Sequence, residues 1–394
     1  MIERYLNPEI NSIWDDQNKF DTWKLVQEKY VETLEELDVA ENGIAKKINQ
    51  SVVQKDEVYK QEEITNHDLA SFVDILQKKV GEGSNWIHYG LTSSDIVDTA
   101  NSVLIMQSLD YVMDLVNDFL STLQEKAVQE KDTLIIGRTH GVYAEETFLG
   151  NIFGNWHLEV ARGLNRLENS KNNISFGKLS GPVGNHSVVT SEMEKLTLDK
   201  LNLKPEQFAN QIVSRDRYAE VVGSLGILAS TYERIATNIR SYQRSEISEM
   251  YESFKDGQKG SSAMPHKKNP IGSERITGLA RIMRSYVSTS LENMVLWNER
   301  DISNSSVERI MLPDAFHLIS FMSIELNSIL KHLVINYEQI NLNLEDAKNK
   351  SVSQKYLSYL VNNGVDRDTA YRKIQEEIFN NLSCLLYTSP SPRD

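Results

Sequence analysis

The chain has 394 residues, 40% hydrophobic and 25% charged, a composition typical of a globular protein with room for two or three domains. The single cysteine, Cys384, excludes an intrachain disulfide framework and a cluster of thiolate metal ligands. The charged residues at the start of the chain and the lack of a long apolar run predict a cytoplasmic protein without a membrane partner. A net charge of -14 without a Lys/Arg-rich tract argues against nucleic acid as a partner and requires that any site for a small anion gather its cations locally.

Long helices dominate the predicted secondary structure. In residues 95–133 apolar side chains recur at three- and four-residue steps without a proline, which predicts one helix of roughly 50 Å. Similar patterns predict helices in residues 149–172, 209–249, 271–297 and 315–333. Helices of this length bury their apolar stripes by packing against one another, so the predicted fold class is all-α, a long-helix bundle that subunits of an oligomer share.

Three parts are predicted along the chain. Residues 1–94 form an N-terminal helical domain, residues 95–340 the central bundle, and residues 341–394 a C-terminal helical domain, because glycines precede the first long helix and a polar stretch follows the last. From about residue 384 the helical pattern breaks into LLYTSPSPRD. This segment fits either a foreign tail or an ordinary flexible terminus, and neither alternative places chemistry there.

Two polar segments precede predicted helices. HYGLTSSD, residues 88–95, places hydroxyls and an N-cap candidate before the longest helix, where free backbone N–H groups can receive an anion, although capping alone also explains it. GRTHGVYAE, residues 137–145, follows a short apolar run and predicts His140 near a helix start. A lone histidine in such a place is usually structural.

Two further polar segments lie between predicted helices. GQKGSSAMPHKKNP, residues 257–270, has two glycines, two prolines and no amphipathic period, so it is predicted as a loop, either functional or a solvated connector. It lacks the spacing of a Walker phosphate loop. WNERDISNSSVER, residues 297–309, carries Arg300 and Arg309 nine residues apart, which suits an anion site or a solvated surface.

Together these segments resemble the fumarase/aspartase superfamily, whose signature Gly-Ser-Ser-x-Met-Pro-x-Lys-x-Asn-Pro is intact at residues 260–270. HYGLTSSD, GRTHG and ERDISNSSVER stand in the expected order and are similar to the adenylosuccinate lyases over about residues 1–380. The resemblance implies β-elimination of fumarate from adenylosuccinate, giving AMP, and from the related succinylated carboxamide ribotide of purine synthesis. It also implies a homotetramer with shared active sites, smaller helical domains at both ends, a truncated C-terminal domain, and no metal or organic cofactor.

The chemistry of that elimination assigns roles by resemblance to the signature loop. A proton must leave a weakly acidic carbon beside a carboxylate, which needs a positioned base and cations around the developing charge. Ser261 is implied as the base, acting as an alkoxide, and Ser262 is the adjacent alternative. Lys267 and Asn269 would stabilise the substrate carboxylate. We expect the loop to be disordered when empty and to close over substrate.

His140 is implied as the general acid that protonates the departing nitrogen, with Glu274 or His67 as an orienting or alternative partner. The resemblance also implies a set of residues that bind the nucleotide phosphate, the succinyl carboxylates and the rest of the substrate: Arg4, Tyr5, His67, Asp68, His88, Thr92, Ser93, Gln211, Ser262, Met264, Asn269, Arg300, Ser305 and Arg309. Two rival interpretations remain, another lyase of the superfamily and a catalytically silent helical scaffold.

Overall fold

The computed structural model describes residues 1–254 and 257–379. These residues form fourteen α-helices, six short β-strands and two 3-10 helices. The predicted all-α fold is confirmed, whereas the predicted tail with Cys384 lies outside the described residues. Among the described helices, none is both long and apolar enough to cross a membrane.

The chain divides into two compact units that interleave in sequence. Unit 1 comprises residues 1–118, 160–233 and 276–325, and unit 2 comprises the remaining described residues. The three-part domain organisation expected from the sequence stays a prediction. The division falls inside the five longest helices, which are α6 (Ser93–Gln129), α7 (Leu149–Ile174), α9 (Arg215–Tyr242), α10 (Ile271–Glu292) and α11 (Ser303–Lys331).

The largest difference from the predicted helix boundaries is at the start of α11. The sequence predicts a helix from residue 315, but α11 begins at Ser303 and runs through Pro313. A proline inside a helix removes one backbone hydrogen bond and crowds the carbonyl four residues earlier. Burial of Leu312 and Phe316, which flank the proline and are nearly inaccessible to solvent, offsets this cost.

Unit 1 contains a helical N-terminal part with an aromatic core. Phe20 and Trp23 pack edge to face at a centroid distance of 5.2 Å, and Phe72 stacks on Phe20 at 6.0 Å. Besides its shares of the long helices, the unit contains α1 (Pro8–Trp14), α2 (Asp16–Glu36), α3 (Ile44–Gln50), α4 (Lys55–Thr65), α5 (Asp68–Val80), α8 (Ser191–Asp199), the 3-10 helices Glu3–Tyr5 and Ser84–Trp86, and the parallel strands β3 (Phe176–Gly177) and β4 (Lys204–Pro205).

Unit 2 contains a β-hairpin where the sequence predicts a helix start. Strand β1 (Leu134–Thr139) pairs antiparallel with β2 (Val142–Phe148), and helix α7 begins only afterwards. His140 therefore lies at the hairpin turn, and the prediction that it lies near a helix start is wrong. The reason is local: His140 and Gly141 have φ of 55° and 79°, as the two-residue turns that match strand twist require.

The remaining elements of unit 2 lie late in the chain. Strands β5 and β6 form a second antiparallel pair. Their bounds and those of the last helices are Met250–Tyr251 for β5, Val334–Ile335 for β6, Tyr337–Ser351 for α12, Ser353–Asn362 for α13 and Arg367–Phe379 for α14. All six strands are short, so the prediction that the chain builds no large sheet holds for the described residues.

Candidate active site

Unit 1 contains a polar cavity of about 250 Å³ formed by the starts of α5, α6, α9 and α11 and the segments that precede them. Helix starts leave backbone N–H groups without intrahelical partners, which favours anions. The cavity brings together eight of the predicted substrate-binding residues: His67, Asp68, Thr92, Ser93, Gln211, Arg300, Ser305 and Arg309.

The start of α6 is fixed by a buried carboxylate. Asp95 accepts a hydrogen bond from the backbone N–H of Thr92 at 2.8 Å and another from Gly181 at 3.2 Å. It also contacts the ammonium of Lys178, and both side chains are fully buried. Burial raises the pKa of Asp95, against the opposing charge of Lys178. The buried side chain of Asp95 therefore fixes the turn that places Thr92 and Ser93 in the lining of the cavity.

A buried ion network lies at the base of the cavity. Arg215 binds Asp98 through Nη2 at 3.0 Å, and it binds Glu308 in a bidentate manner at 2.8 and 3.0 Å. Burial acts to lower the pKa of Arg215, but the two carboxylates outweigh it and hold that pKa well above its usual value. Burial raises the pKa of Glu308, with Arg215 opposing. This bridging guanidinium ties α6, α9 and α11 together.

Arg300 extends the network into the cavity. Its Nε donates to Asn304 Oδ1 at 3.3 Å, and Asn304 in turn donates to Glu308 Oε1 at 3.1 Å. Its Nη1 donates to Gln211 Oε1 at 3.1 Å and to Ser94 Oγ at 3.4 Å. Burial lowers the pKa of Arg300. The carboxylates of Asp98, Glu308 and Asp301 act on its charge electrostatically, but its hydrogen bonds run to neutral groups, which leaves the guanidinium able to bind an anionic ligand directly.

The mouth of the cavity carries a third arginine, after Arg215 and Arg300. Arg309 is 60% exposed and binds Asp68 at 2.6 Å. His67 caps α5 by accepting from the backbone N–H of Ala70 at 3.4 Å, and its Nε2 lies 3.3 Å from Ser93 Oγ. Because Arg309 itself is exposed, solvent weakens this ion pair, and an anion that enters the cavity can compete with Asp68 for the guanidinium.

Three predicted binding residues of unit 1 do not line this cavity. Arg4 and Tyr5 lie in the 3-10 helix Glu3–Tyr5, where Arg4 is exposed and the ring of Tyr5 packs edge-on against Phe321 at 5.0 Å. His88 lies before the turn into α6, with its backbone in the left-handed region at φ 64°. Their roles in binding stay predictions.

In unit 2 the hairpin that carries His140 is anchored by a buried ion pair. Arg138 binds Glu249 in a bidentate manner at 2.8 and 2.7 Å, and Glu249 is inaccessible to solvent. Asn343 donates to the same carboxylate at 2.8 Å. Burial acts to lower the pKa of Arg138, but Glu249 outweighs it and raises that pKa. His140 itself is exposed at the turn.

The signature loop is folded back on itself in unit 2. Gly260 approaches the backbone so closely that an added Cβ would lie 2.0 Å from the carbonyl oxygen of Lys267, and no other residue fits there. The amide of Asn269 donates to the carbonyl of Gly260 at 2.7 Å. Asn269 therefore braces the loop, a role that the sequence did not suggest.

Within the loop the two serines differ. Ser261 Oγ accepts hydrogen bonds from the backbone N–H groups of Ala263 at 3.3 Å and Met264 at 3.1 Å. Ser262 is exposed, as are Met264 and Lys267, and Glu274 is exposed in the first turn of α10. Hydrogen bonds donated to an oxygen favour its anionic form. The loop geometry therefore favours Ser261 over Ser262 as the site of an alkoxide.

The sequence analysis missed the residues that support the site. Asp98, Arg215 and Glu308 hold the cavity, and Glu249 holds the hairpin. For Asp98 the available signal was a charged residue among the apolar positions of a predicted helix, which must be paired when buried. Among the described residues, no group of three or more His, Cys, Asp or Glu side chains is arranged to hold a metal ion.

Comparison with known proteins places the chain in a class. The profile of a family described as Lyase matches residues 18–283, which is more than half of the sequence, and the chain belongs to this lyase family. Curated relatives narrow the class. The chain is 42% identical to the adenylosuccinate lyase of Thermotoga maritima over 376 residues, which cover 95% of this chain and 87% of that protein. It is 42% identical to the adenylosuccinate lyase of Aquifex aeolicus and 40% identical to that of Bacillus subtilis, with the same coverage.

Solved structures show the same fold at lower sequence identity. The chain superposes on a fumarate lyase from Mesorhizobium sp. BNC1 with a TM-score of 0.87 at 19% identity, covering 97% of this chain and 89% of that one. It also superposes on a 3-carboxy-cis,cis-muconate lactonizing enzyme from Pseudomonas putida with a TM-score of 0.85 at 20% identity, covering 96% of this chain and 86% of that one. These likenesses establish the long-helix lyase fold.

Proposed function

We propose that the chain is a carbon-nitrogen lyase that eliminates fumarate from adenylosuccinate to give AMP, and from the succinylated carboxamide ribotide of purine biosynthesis. The observation that carries the proposal is 40 to 42% identity to adenylosuccinate lyases over 95% of the chain. The signature loop at residues 260–270 is complete, and the cavity of unit 1 holds arginines suited to an anionic ligand.

Recognition of the substrate falls to the cavity residues and their neighbours. Arg300, Ser305 and Arg309 bind the phosphate together with Arg4 and Tyr5, because guanidinium groups match phosphate oxygens in geometry and charge. The hydroxyls of Thr92 and Ser93 at the start of α6 and the amide of Gln211 before α9 bind the succinyl carboxylates. His67, Asp68, His88 and Met264 complete the binding set. The position of Arg300 in the lining of the cavity, with Nη1 hydrogen-bonded to neutral groups, supports this assignment.

The elimination begins with proton removal. Ser261, as an alkoxide, takes the proton from the carbon beside the succinyl carboxylate, and the electron pair moves onto that carboxylate, where Lys267 and Asn269 stabilise it. The two N–H groups that donate to Ser261 Oγ support the alkoxide. Ser262 is the alternative base, and its lack of a comparable environment in the described loop disfavours it.

The reaction ends when the carbon-nitrogen bond breaks. The electron pair returns from the carboxylate to form the double bond of fumarate, and His140 gives a proton to the departing nitrogen. His67 or Glu274 orients His140 or substitutes for it. A general acid must sit within a narrow range of positions, and the Arg138–Glu249 pair supports this role by anchoring the hairpin of His140.

We further propose that the enzyme is a cytoplasmic homotetramer in which one active site draws on neighbouring subunits, and that it needs no metal or organic cofactor. Long helices with exposed apolar side chains, such as Ile310 of α11 at 63% and Leu158 of α7 at 60% exposure, support burial against other subunits. Light scattering during size-exclusion chromatography measures the assembly, and a monomeric fraction without activity is the expected companion result.

The experiment that tests the function follows absorbance during incubation of the purified chain with adenylosuccinate. Argininosuccinate and carboxymuconate serve as rival substrates. We expect fumarate release from adenylosuccinate alone. Fumarate release from argininosuccinate instead, or cyclisation of carboxymuconate to its lactone, would point to another enzyme of the superfamily, and a correctly assembled chain that converts none of the three would favour a catalytically silent scaffold.

A further inference from the structure

Gln27, a buried residue of α2, makes two hydrogen bonds to a single residue of the HYGLTSSD segment. Its Oε1 lies 3.0 Å from the backbone nitrogen of His88, and its Nε2 lies 3.0 Å from Nδ1 of the same histidine. Gln27 is inaccessible to solvent. One helix turn further along α2, the hydroxyl of Tyr30 donates to the carbonyl of Tyr89 at 2.8 Å. Helix α2 therefore holds the backbone and the ring of His88 at once.

The backbone bond decides how the amide is oriented. The two ends of a glutamine amide are similar in shape, so their identity has to come from their partners. The backbone N–H of His88 can only donate, and the amide end that faces it must be the carbonyl Oε1. The other end, Nε2, then faces the imidazole and donates to Nδ1.

The amide orientation in turn decides the protonation of the ring. A neutral imidazole has one donor nitrogen and one acceptor nitrogen, and Nδ1 of His88 is the acceptor because it receives the amide N–H. The proton of His88 is therefore on Nε2. In the part of the chain that the structure describes, Nε2 has no hydrogen-bond partner, so this proton is available to a ligand.

We propose that Gln27 is a positioning residue that holds His88 as the neutral tautomer protonated at Nε2, so that His88 presents one hydrogen-bond donor to an acceptor atom of the substrate. The inference rests on the proposed function for the identity of that substrate. Burial, together with the smaller electrostatic effect of His67, lowers the pKa of His88 to about 4. His88 is then neutral at physiological pH, and the tautomer matters for binding.

Replacing Gln27 with glutamate tests the tautomer directly. The carboxylate of Gln27→Glu still accepts from the backbone N–H, but its second oxygen cannot donate to Nδ1, so Nδ1 must carry a proton. At about pH 8.5 a neutral His88 then turns a lone pair on Nε2 toward the substrate, and we expect KM to rise about 10-fold. At about pH 6 the imidazolium regains an Nε2 donor, and KM returns toward the parent value.

The matched control is Gln107→Glu, which makes the same change of charge at an exposed position of α6. We expect its KM to follow the parent at every pH. Gln27→Met removes both hydrogen bonds and should raise KM without the pH-dependent recovery. The positioning role is wrong if the kcat and KM of Gln27→Glu equal those of the parent at every pH. It is also wrong if they equal those of Gln27→Met at every pH.

A second measurement needs neither turnover nor a variant of Gln27. Nitrogen-15 NMR of the parent protein labelled at histidine, with His88 assigned by comparison with His88→Asn, reports which ring nitrogen carries the proton. We expect an unprotonated Nδ1 and a protonated Nε2. A protonated Nδ1 would overturn the inference even if the chain cleaves adenylosuccinate, whereas an inactive chain with the expected tautomer would count against the proposed function alone.

Discussion

The cavity of unit 1 and the signature loop of unit 2 contain similar types of residue, but they differ in how deeply the side chains are buried and how they are paired. In the cavity, Asp98, Arg215 and Glu308 are less than 8% exposed and joined by several hydrogen bonds. In the loop, Lys267 is exposed, and Met264 is 53% exposed. Charges buried and paired in this way hold one geometry, whereas exposed side chains sample many rotamers.

This difference fits the proposed function, in which the cavity recognises the substrate and the loop carries the chemistry. A phosphate can be selected by a preformed site, because the charges that bind it are the same before and after reaction. A serine alkoxide is tolerable only while water is excluded, so the residues that create it should be assembled after substrate has bound. On this account the cavity binds the substrate, and the loop carries the groups that react with it.

The largest expected effect separates the two serines of the loop. We expect Ser261→Ala to lower kcat about 10³- to 10⁴-fold, since it removes the proposed base together with the oxygen that receives two backbone N–H groups. Ser262→Ala is the matched control and should change kcat less than about 10-fold. Steady-state kinetics at equal oligomeric state measure both, and the reverse ranking would assign the base to Ser262.

The buried network should dominate stability. Arg215→Leu leaves the carboxylates of Asp98 and Glu308 buried without a counter-ion, and we expect it to lower the free energy of unfolding by about 3 to 5 kcal/mol. Arg372→Leu breaks the exposed pair with Asp368, which should cost less than about 1 kcal/mol. Denaturant titration compares the two. Equal losses would mean that the network is not the rigid part of the site.

Acid should weaken the folded state through His88. Its pKa is about 4 in the folded chain and about 6.5 when unfolded, so between these values the unfolded chain binds more protons and stability falls as pH falls. The loss is at most about 3 kcal/mol and is complete near pH 4. His88→Asn tolerates the left-handed backbone and should flatten this part of the stability curve in chemical denaturation. An unchanged curve would show that His88 is not responsible.

The smallest effect concerns the mouth of the cavity. Arg309→Ala removes one exposed guanidinium, and we expect KM to rise about 10-fold with kcat and stability nearly unchanged. Arg281→Ala, another exposed arginine of unit 1, is the control and should leave KM unaltered. A loss of kcat in Arg309→Ala would place this residue in the chemical step.

The sequence predicted the fold class because amphipathic periodicity over long stretches is a strong signal. Through the resemblance to the adenylosuccinate lyases it also predicted eight of the residues that line the cavity. It failed at the hairpin of His140, where the two-residue turn depends on the backbone angles of His140 and Gly141 rather than on hydrophobic pattern. It also missed Arg215 and Glu249, because a partner more than 90 residues away is invisible to local patterns.

The most direct test of the division between binding and reaction measures both in the same two variants. Equilibrium titration with adenylosuccinate gives affinity, and fumarate release gives turnover. We expect Ser261→Ala to bind within about 3-fold of the parent while turnover falls about 10³-fold, and Arg300→Met to bind at least about 10-fold more weakly. If Ser261→Ala instead lost affinity as Arg300→Met does, or kept its turnover, the separation of a binding cavity from a reacting loop would be contradicted.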